Sequence, residues 1–141
     1  MKNINISNNI DKNINRIQEI PHDGPMCELL WSDPEEINDW EPNPRGAGVI
    51  FGSQLVDKFI RTNNVNYIVR AHQLIMEGYR IHFNGKLYTV WSAPNYCYRC
   101  NNLASIMRLD SNLKPEFDTF KASSEDYKPA PKKKDLPDYF L

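Results

Sequence analysis

The sequence holds 141 residues, 40% hydrophobic and 25% charged, with a formal net charge of −1. That is enough chain for one domain and too balanced a charge to bind nucleic acid or an anionic membrane through a global field. No apolar run approaches the roughly 20 residues of a membrane span, and the three cysteines, Cys27, Cys97 and Cys100, are an odd count that suits a reducing, intracellular compartment.

Residues 1–15 are dominated by Asn and Ile and form a low-complexity leader, either disordered or, through Ile10 and Ile14, a short amphipathic helix. The globular pattern occupies residues 16–122. After a turn at His22-Asp23-Gly24-Pro25, the apolar run 26–31 predicts a short buried strand that ends at Ser32-Asp33-Pro34. Residues 35–41 are acidic and predict an exposed loop. Ser53 is placed to cap a helix whose apolar stripe is Leu55, Val56, Phe59 and Ile60, with Asn63-Asn64 ending it. A strand over 65–69 follows and delivers Arg70, Ala71 and His72 at its end. Asn84-Gly85 between 79–83 and 86–91 predicts a hairpin, since both central positions of a type I′ turn need positive φ. Strands over 103–109 and 116–122 are joined by a turn at Asp110-Ser111-Asn112 and Lys114-Pro115. From residue 123 onward, Pro, Ser and charge predict a flexible tail that ends Asp138-Tyr139-Phe140-Leu141.

Three stretches carry candidate chemistry. In Asn43-Pro44-Arg45-Gly46-Ala47-Gly48, proline and two glycines make a tight loop that presents Arg45, whose planar fork matches two phosphate oxygens at once. An ordinary loop arginine is the competing reading. His72 at a strand end is a rigidly held imidazole, either a metal ligand or a hydrogen-bonded histidine. Trp91-Ser92-Ala93-Pro94-Asn95-Tyr96-Cys97-Tyr98-Arg99-Cys100-Asn101 begins in a strand and breaks at Pro94-Asn95 into a loop rich in groups able to meet a ligand. Tyr96 is either a site residue or core packing. Cys97 and Cys100 supply two of the four ligands a structural zinc needs, which argues against zinc. Trp31 and Asp33 remain open between a core residue with an Asx-turn and the lining of a site. His82, within the hairpin, is expected at the surface.

With Leu29-Leu30-Trp31-Ser32-Asp33-Pro34 and Arg70-Ala71-His72-Gln73, these stretches resemble the phosphoprotein phosphatase family of metal-dependent serine/threonine phosphatases. The likeness is strongest to the type 2A, 4 and 6 group. Pro21-His22-Asp23-Gly24-Pro25-Met26-Cys27 and His82-Phe83-Asn84 lean toward type 4. It begins near Arg16 and corresponds to the C-terminal part of the family's catalytic domain. It implies a metallophosphoesterase-like layered α/β fold, here mainly one mixed or antiparallel sheet with a helix.

The resemblance also implies roles. Arg45 would clamp the substrate phosphate and His72 would bind one of two divalent metal ions, manganese or iron and zinc. Tyr96 would face the substrate, with Trp31, Asp33, Cys97, Arg99 and Cys100 along the groove. The substrates would be phosphoserine and phosphothreonine proteins, and the compartment cytoplasmic or nuclear. Terminal Leu141 is similar to a leucine that is carboxyl-methylated in the type 2A group and helps select regulatory and scaffold subunits. The family's other metal-ligand motifs, of the forms GDxHG, GDxxDRG and GNHE, do not occur in these 141 residues. Two expectations follow: a truncated phosphatase fragment, inactive alone, or a non-catalytic protein that engages phosphatase regulatory subunits.

Overall fold

The computed structural model describes residues 14–123. The leader apart from Ile14 and Asn15, and the tail beyond Ser123 with Leu141, lie outside the described residues. The chain divides into two compact units, Met1–Ile68 and Val69–Leu141.

In the first unit, helix α1 (Pro25–Trp31) stands where a strand was expected. An apolar run of this length does not by itself separate strand from helix. Pro25 in the first turn, where its missing N–H costs nothing, favours the helix. Only Cys27 of the run is buried, while Leu29 and Leu30 remain about half exposed. The chain then forms a three-stranded sheet of β1 (Asp33–Pro34), β2 (Trp40–Pro42) and β3 (Val49–Phe51). β3 is central, parallel to β1 with Asp33 opposite Ile50, and antiparallel to β2 with Trp40 opposite Phe51. Strands of two or three residues are too short to show a period of two, which is why β2 lay hidden at the end of the predicted exposed loop.

Helix α2 (Ser53–Asn63) buries Val56 and closes on Asn64, whose φ of 52° is left-handed. Its cap is Gly52 rather than Ser53, and no side chain serves the first turn. The opening N–H groups go to backbone instead, Ser53 N to Ile37 O at 3.2 Å and Gln54 N to Asn38 O at 3.0 Å. The loop lies so close that a Cβ on Gly52 would overlap the Ile37 carbonyl.

Apart from Ile68, with which the first unit ends, the second unit contains the sheet β4 (Ile68–Arg70), β5 (Tyr79–His82) and β6 (Leu87–Val90), in the order β4-β6-β5. β4 starts later than the predicted 65–69 because Val65 N still bonds Ile60 O at the helix end. The hairpin forms as expected. Asn84 (φ 55°) and Gly85 (φ 81°) hold its turn, closed by Lys86 N to Phe83 O at 3.3 Å. The central strand β6 buries Leu87, Tyr88 and Thr89 in succession. His82, expected at the surface, is buried at 6% exposure, with Nε2 3.0 Å from Thr89 Oγ1.

β7 (Ala104–Leu109) and β8 (Pro115–Phe120) pair antiparallel as a two-stranded ribbon, and Asp110 Oδ1 accepts from both Asn112 N and Lys114 N in its turn. Phe117 stacks on Tyr79 with centroids 4.1 Å apart. The mixed α/β, mainly antiparallel architecture is as expected, but among the described residues the strands fall into three small sheets with two helices rather than into one sheet with one helix.

Candidate active site

Arg45 sits in the loop between β2 and β3, and its partner Asp33 opens β1. Asp33 is buried, and its Oδ2 accepts from Arg45 Nε at 2.9 Å and from Asn43 Nδ2 at 3.0 Å. Asn43 is buried as well. Its Oδ1 accepts from Arg45 N at 2.9 Å, and Nδ2 also reaches the Trp31 carbonyl at 3.3 Å. Arg45 is thus held at both its backbone and its guanidinium. A guanidinium pinned through Nε has its plane set before any ligand arrives, which lowers the ordering cost of binding an oxyanion.

The glycines fit this close packing. Gly48 has φ 67°, and a Cβ there would lie 2.6 Å from the Trp31 carbonyl carbon. Ser32 Oγ accepts from Val49 N at 3.1 Å and closes the other side of the loop. Trp31 is half-buried at the end of α1. Asp33 therefore forms an ion pair, which neither an Asx-turn nor simple groove lining would have required.

In the second unit, Arg70 Nη1 donates to Gln73 Oε1 at 2.9 Å, tying together the ends of the Arg70-Ala71-His72-Gln73 stretch. His72 follows β4 by two residues and has φ 82°, a left-handed value rare for a side chain with a Cβ. Such strain persists where surrounding contacts dictate it, and functional sites collect it.

Tyr96 opens a short 3-10 turn, Tyr96–Tyr98, in the loop after β6. Its ring meets Trp91 edge to face at 4.8 Å. Asn95, Cys97, Tyr98 and Asn101 all have positive φ, a dense run of left-handed residues with no glycine among them. Cys97 and Cys100 are half-buried thiols, while Tyr98 and Arg99 are exposed. Asn102, only 3% exposed, ties the loop down. Its Oδ1 accepts from Tyr96 N at 2.8 Å, and Nδ2 donates to Ala93 O at 2.9 Å and to Leu103 O at 2.8 Å.

Sequence reasoning singled out Arg45, His72 and Tyr96 as candidates but not the two buried asparagines, Asn43 and Asn102, that fix the loops of Arg45 and Tyr96. Asn43 heads the Arg45 stretch, but nothing in the chain gives away its buried partners, and Asn102 carries no signal at all. Each sits beside ordinary turn residues, and Asn102 follows an exposed asparagine at 101.

Among the described residues, no group of three or more His, Cys, Asp and Glu is arranged to hold a metal ion. The described residues thus do not by themselves fit a two-metal centre.

The solved structure of a protein serine/threonine phosphatase from Saccharomyces cerevisiae, described as similar to human phosphatase PP5, superposes with a TM-score of 0.72 and 37% sequence identity. The match covers 79% of this chain and 38% of that one, so the chain spans well under half the length of that phosphatase. Calcineurin-like phosphoesterases use divalent metals. The model of that family matches residues 5–76, which include both the Arg45 loop and His72 and make up just over half of the 141 residues, and on that extent the chain belongs to the calcineurin-like phosphoesterase family.

Proposed function

We propose that the chain is the C-terminal portion of a serine/threonine protein phosphatase catalytic subunit of the type 2A, 4 and 6 group, most like type 4. Arg45 binds the substrate phosphate. Trp31 and Asp33 stand beside it in the first unit; in the second, Tyr96 faces the phosphopeptide from a loop that also carries Cys97, Arg99 and Cys100, and His72 contributes one ligand to a divalent metal ion such as manganese. The observation that carries this reading is the anchored guanidinium: Arg45 held by Asp33 and Asn43 in a glycine-bounded loop. The family match and the 37% identity to a serine/threonine phosphatase support the same class. The other metal ligands such chemistry needs come from sequence outside these 141 residues.

The test is phosphopeptide hydrolysis. The purified chain with manganese gives no turnover above background. Joined to the N-terminal half of a close phosphatase it hydrolyses the peptide, Arg45→Ala raises KM more than it lowers kcat, and His72→Ala abolishes activity. Turnover by the chain alone overturns the fragment reading, and an inert joined protein overturns the phosphatase reading.

The proposal extends to location and partners. The protein acts in the cytoplasm or nucleus, and residues 138–141, with carboxyl-methylated Leu141, help it engage regulatory and scaffold subunits. Capture of a type 2A regulatory subunit that is equal with and without these four residues argues against that role.

A further inference from the structure

We infer that Asn102 is the positioning residue for Tyr96. It holds the loop from Ala93 to Asn101 in a conformation with four left-handed residues, of which Cys97 and Tyr98 disfavour that region. What Tyr96 is held toward rests on the phosphatase reading, but the holding itself rests on the second unit alone.

Four residues of this loop have φ between 45° and 58°, and none is glycine. Asn95 and Asn101 tolerate the left-handed region, but Cys97 and Tyr98 do not favour it, so the loop gains from an external fixture that keeps it in this shape. The surrounding backbone supplies little. Tyr98 N to Asn95 O and Arg99 N to Tyr96 O are bonds within the loop, and they move with it.

The fixture is Asn102, buried at the foot of β7. A primary amide is the one neutral side chain that accepts and donates twice in a plane, and here both halves are used. The carbonyl takes the Tyr96 N–H, and the two amide hydrogens go to Ala93 O and Leu103 O. Asn102 O also accepts from Asn95 N at 3.0 Å, so side chain and backbone together grip the loop at residues 93, 95 and 96.

The grip continues to the aromatic pair. Ala93 O receives Trp91 Nε1 at 2.7 Å as well as Asn102 Nδ2, which fills both of its lone pairs. One carbonyl therefore couples the Trp91 indole to Asn102, and the same indole meets the Tyr96 ring edge to face. The arrangement is a closed ring of contacts, Asn102 to Ala93 to Trp91 to Tyr96 and back to Asn102. Opening it at Asn102 frees Tyr96 at both backbone and ring.

The neighbouring Asn101 gives a matched control. It is exposed, and its side chain makes a single long contact, Nδ2 to Arg99 O at 3.5 Å.

The experiment compares the same change at both positions, Asn101→Asp and Asn102→Asp, with Asn102→Ala as the full deletion, all in the 141-residue chain. It reads amide hydrogen exchange across residues 93–103 and the fluorine spectrum of fluorotryptophan-labelled protein, with the Trp91 signal assigned by its loss in Trp91→Phe. Asn102→Ala speeds exchange at Asn95 and Tyr96 by about tenfold and shifts the Trp91 resonance, while β7 and β8 keep their protection. In Asn102→Asp a carboxylate faces two carbonyl oxygens, so the Trp91 resonance still moves, but Tyr96 N keeps an acceptor and part of its protection. Asn101→Asp changes neither.

Unchanged exchange at residues 95–96 in Asn102→Ala overturns the inference. So does an increase spread equally over β7 and β8, or full unfolding of both Asn102 variants, since either makes Asn102 a general support of the unit. None of these readouts needs turnover, so failure of the phosphatase reading shows separately in the hydrolysis assay.

Discussion

Arg45 Nε donates to Asp33 Oδ2 at 2.9 Å, with the two side chains 16% and 6% exposed. A pair so little exposed is held together by the cost of leaving either charge behind more than by its own attraction. Asn43 donates to the same carboxylate oxygen, so the carboxylate is shared between a positioning amide and the guanidinium it orients.

Removing the carboxylate leaves the Arg45 charge without this partner. Asp33→Ala is expected to destabilise the protein by about 3 kcal/mol. Asp33→Asn, which keeps an oxygen in place, costs less. Arg45→Lys keeps the charge but loses the Nε geometry, and the expected result is nearly unchanged stability with weaker binding of inorganic phosphate. Thermal unfolding of the three variants with phosphate titration checks this, and an Asp33→Ala midpoint equal to that of the parent would rule out the shared-carboxylate account.

The two glycines flanking Ala47 separate strain from collision. Both have positive φ, 83° at Gly46 and 67° at Gly48, but a Cβ on Gly46 meets nothing within 4 Å, whereas one on Gly48 lands 2.6 Å from Trp31 backbone. Gly46→Ala therefore costs about 1 kcal/mol, from conformation alone. Gly48→Ala adds a clash with main chain that cannot swing aside, and the expected loss is at least about twice as large. The comparison needs only the two melting temperatures, and Gly46→Ala should have the higher one.

The parts that were legible in the sequence are those whose signal is local. Asn84-Gly85 specifies its turn through the φ of two residues, Asn63-Asn64 ends α2, and Pro44 with its glycines marks a tight loop, so each appeared where expected. The strand expected over 26–31 became a helix because a short apolar run has no usable period and only the environment decides. Ser53 gave way to Gly52 as the cap because carbonyls 37 and 38, far from it in the chain's hydrogen-bonding logic, reached the first turn. The candidate site divides in the same way. Arg45, His72 and Tyr96 stand in recognisable sequence, while Asn43, Asn102 and the Asp33 pairing are facts of tertiary contact.

His82 and Thr89 form a buried polar pair across the hairpin, 3.0 Å apart. Thr89 is fully buried on the central strand, and valine has nearly its shape without the hydroxyl. Thr89→Val takes away one partner of the imidazole while leaving packing intact, for an expected loss of about 1 kcal/mol. The His82 ring chemical shifts should move in the variant while the Asn84-Gly85 turn signals stay fixed. Unmoved ring shifts would mean that the hydroxyl does not contact the imidazole in solution.

Phe117 joins the two sheets of the second unit. Its ring stacks on Tyr79 of β5 at 4.1 Å with the planes 4° apart, and it lies 5.8 Å from the Tyr88 ring of β6. The β7–β8 ribbon has only two strands, too few for independent stability in water, and the face bearing Ile106 and Phe120 is exposed. Contacts such as this stack keep the ribbon paired. Phe117→Ala is expected to cost about 2 kcal/mol, below the roughly 3–5 kcal/mol of a fully buried ring because Phe117 is only half-buried. The loss should be uneven. Amide protection along 115–120 should fall furthest, while Tyr88 and Thr89 at the centre of their sheet should keep most of theirs. Phe117→Leu, which restores apolar volume without the ring, should recover part of the stability but not the Tyr79 ring-current shift. Equal loss of protection on both sheets in Phe117→Ala would mean that the ribbon and the β4-β6-β5 sheet unfold as one cooperative body and that the stack is not their weak joint.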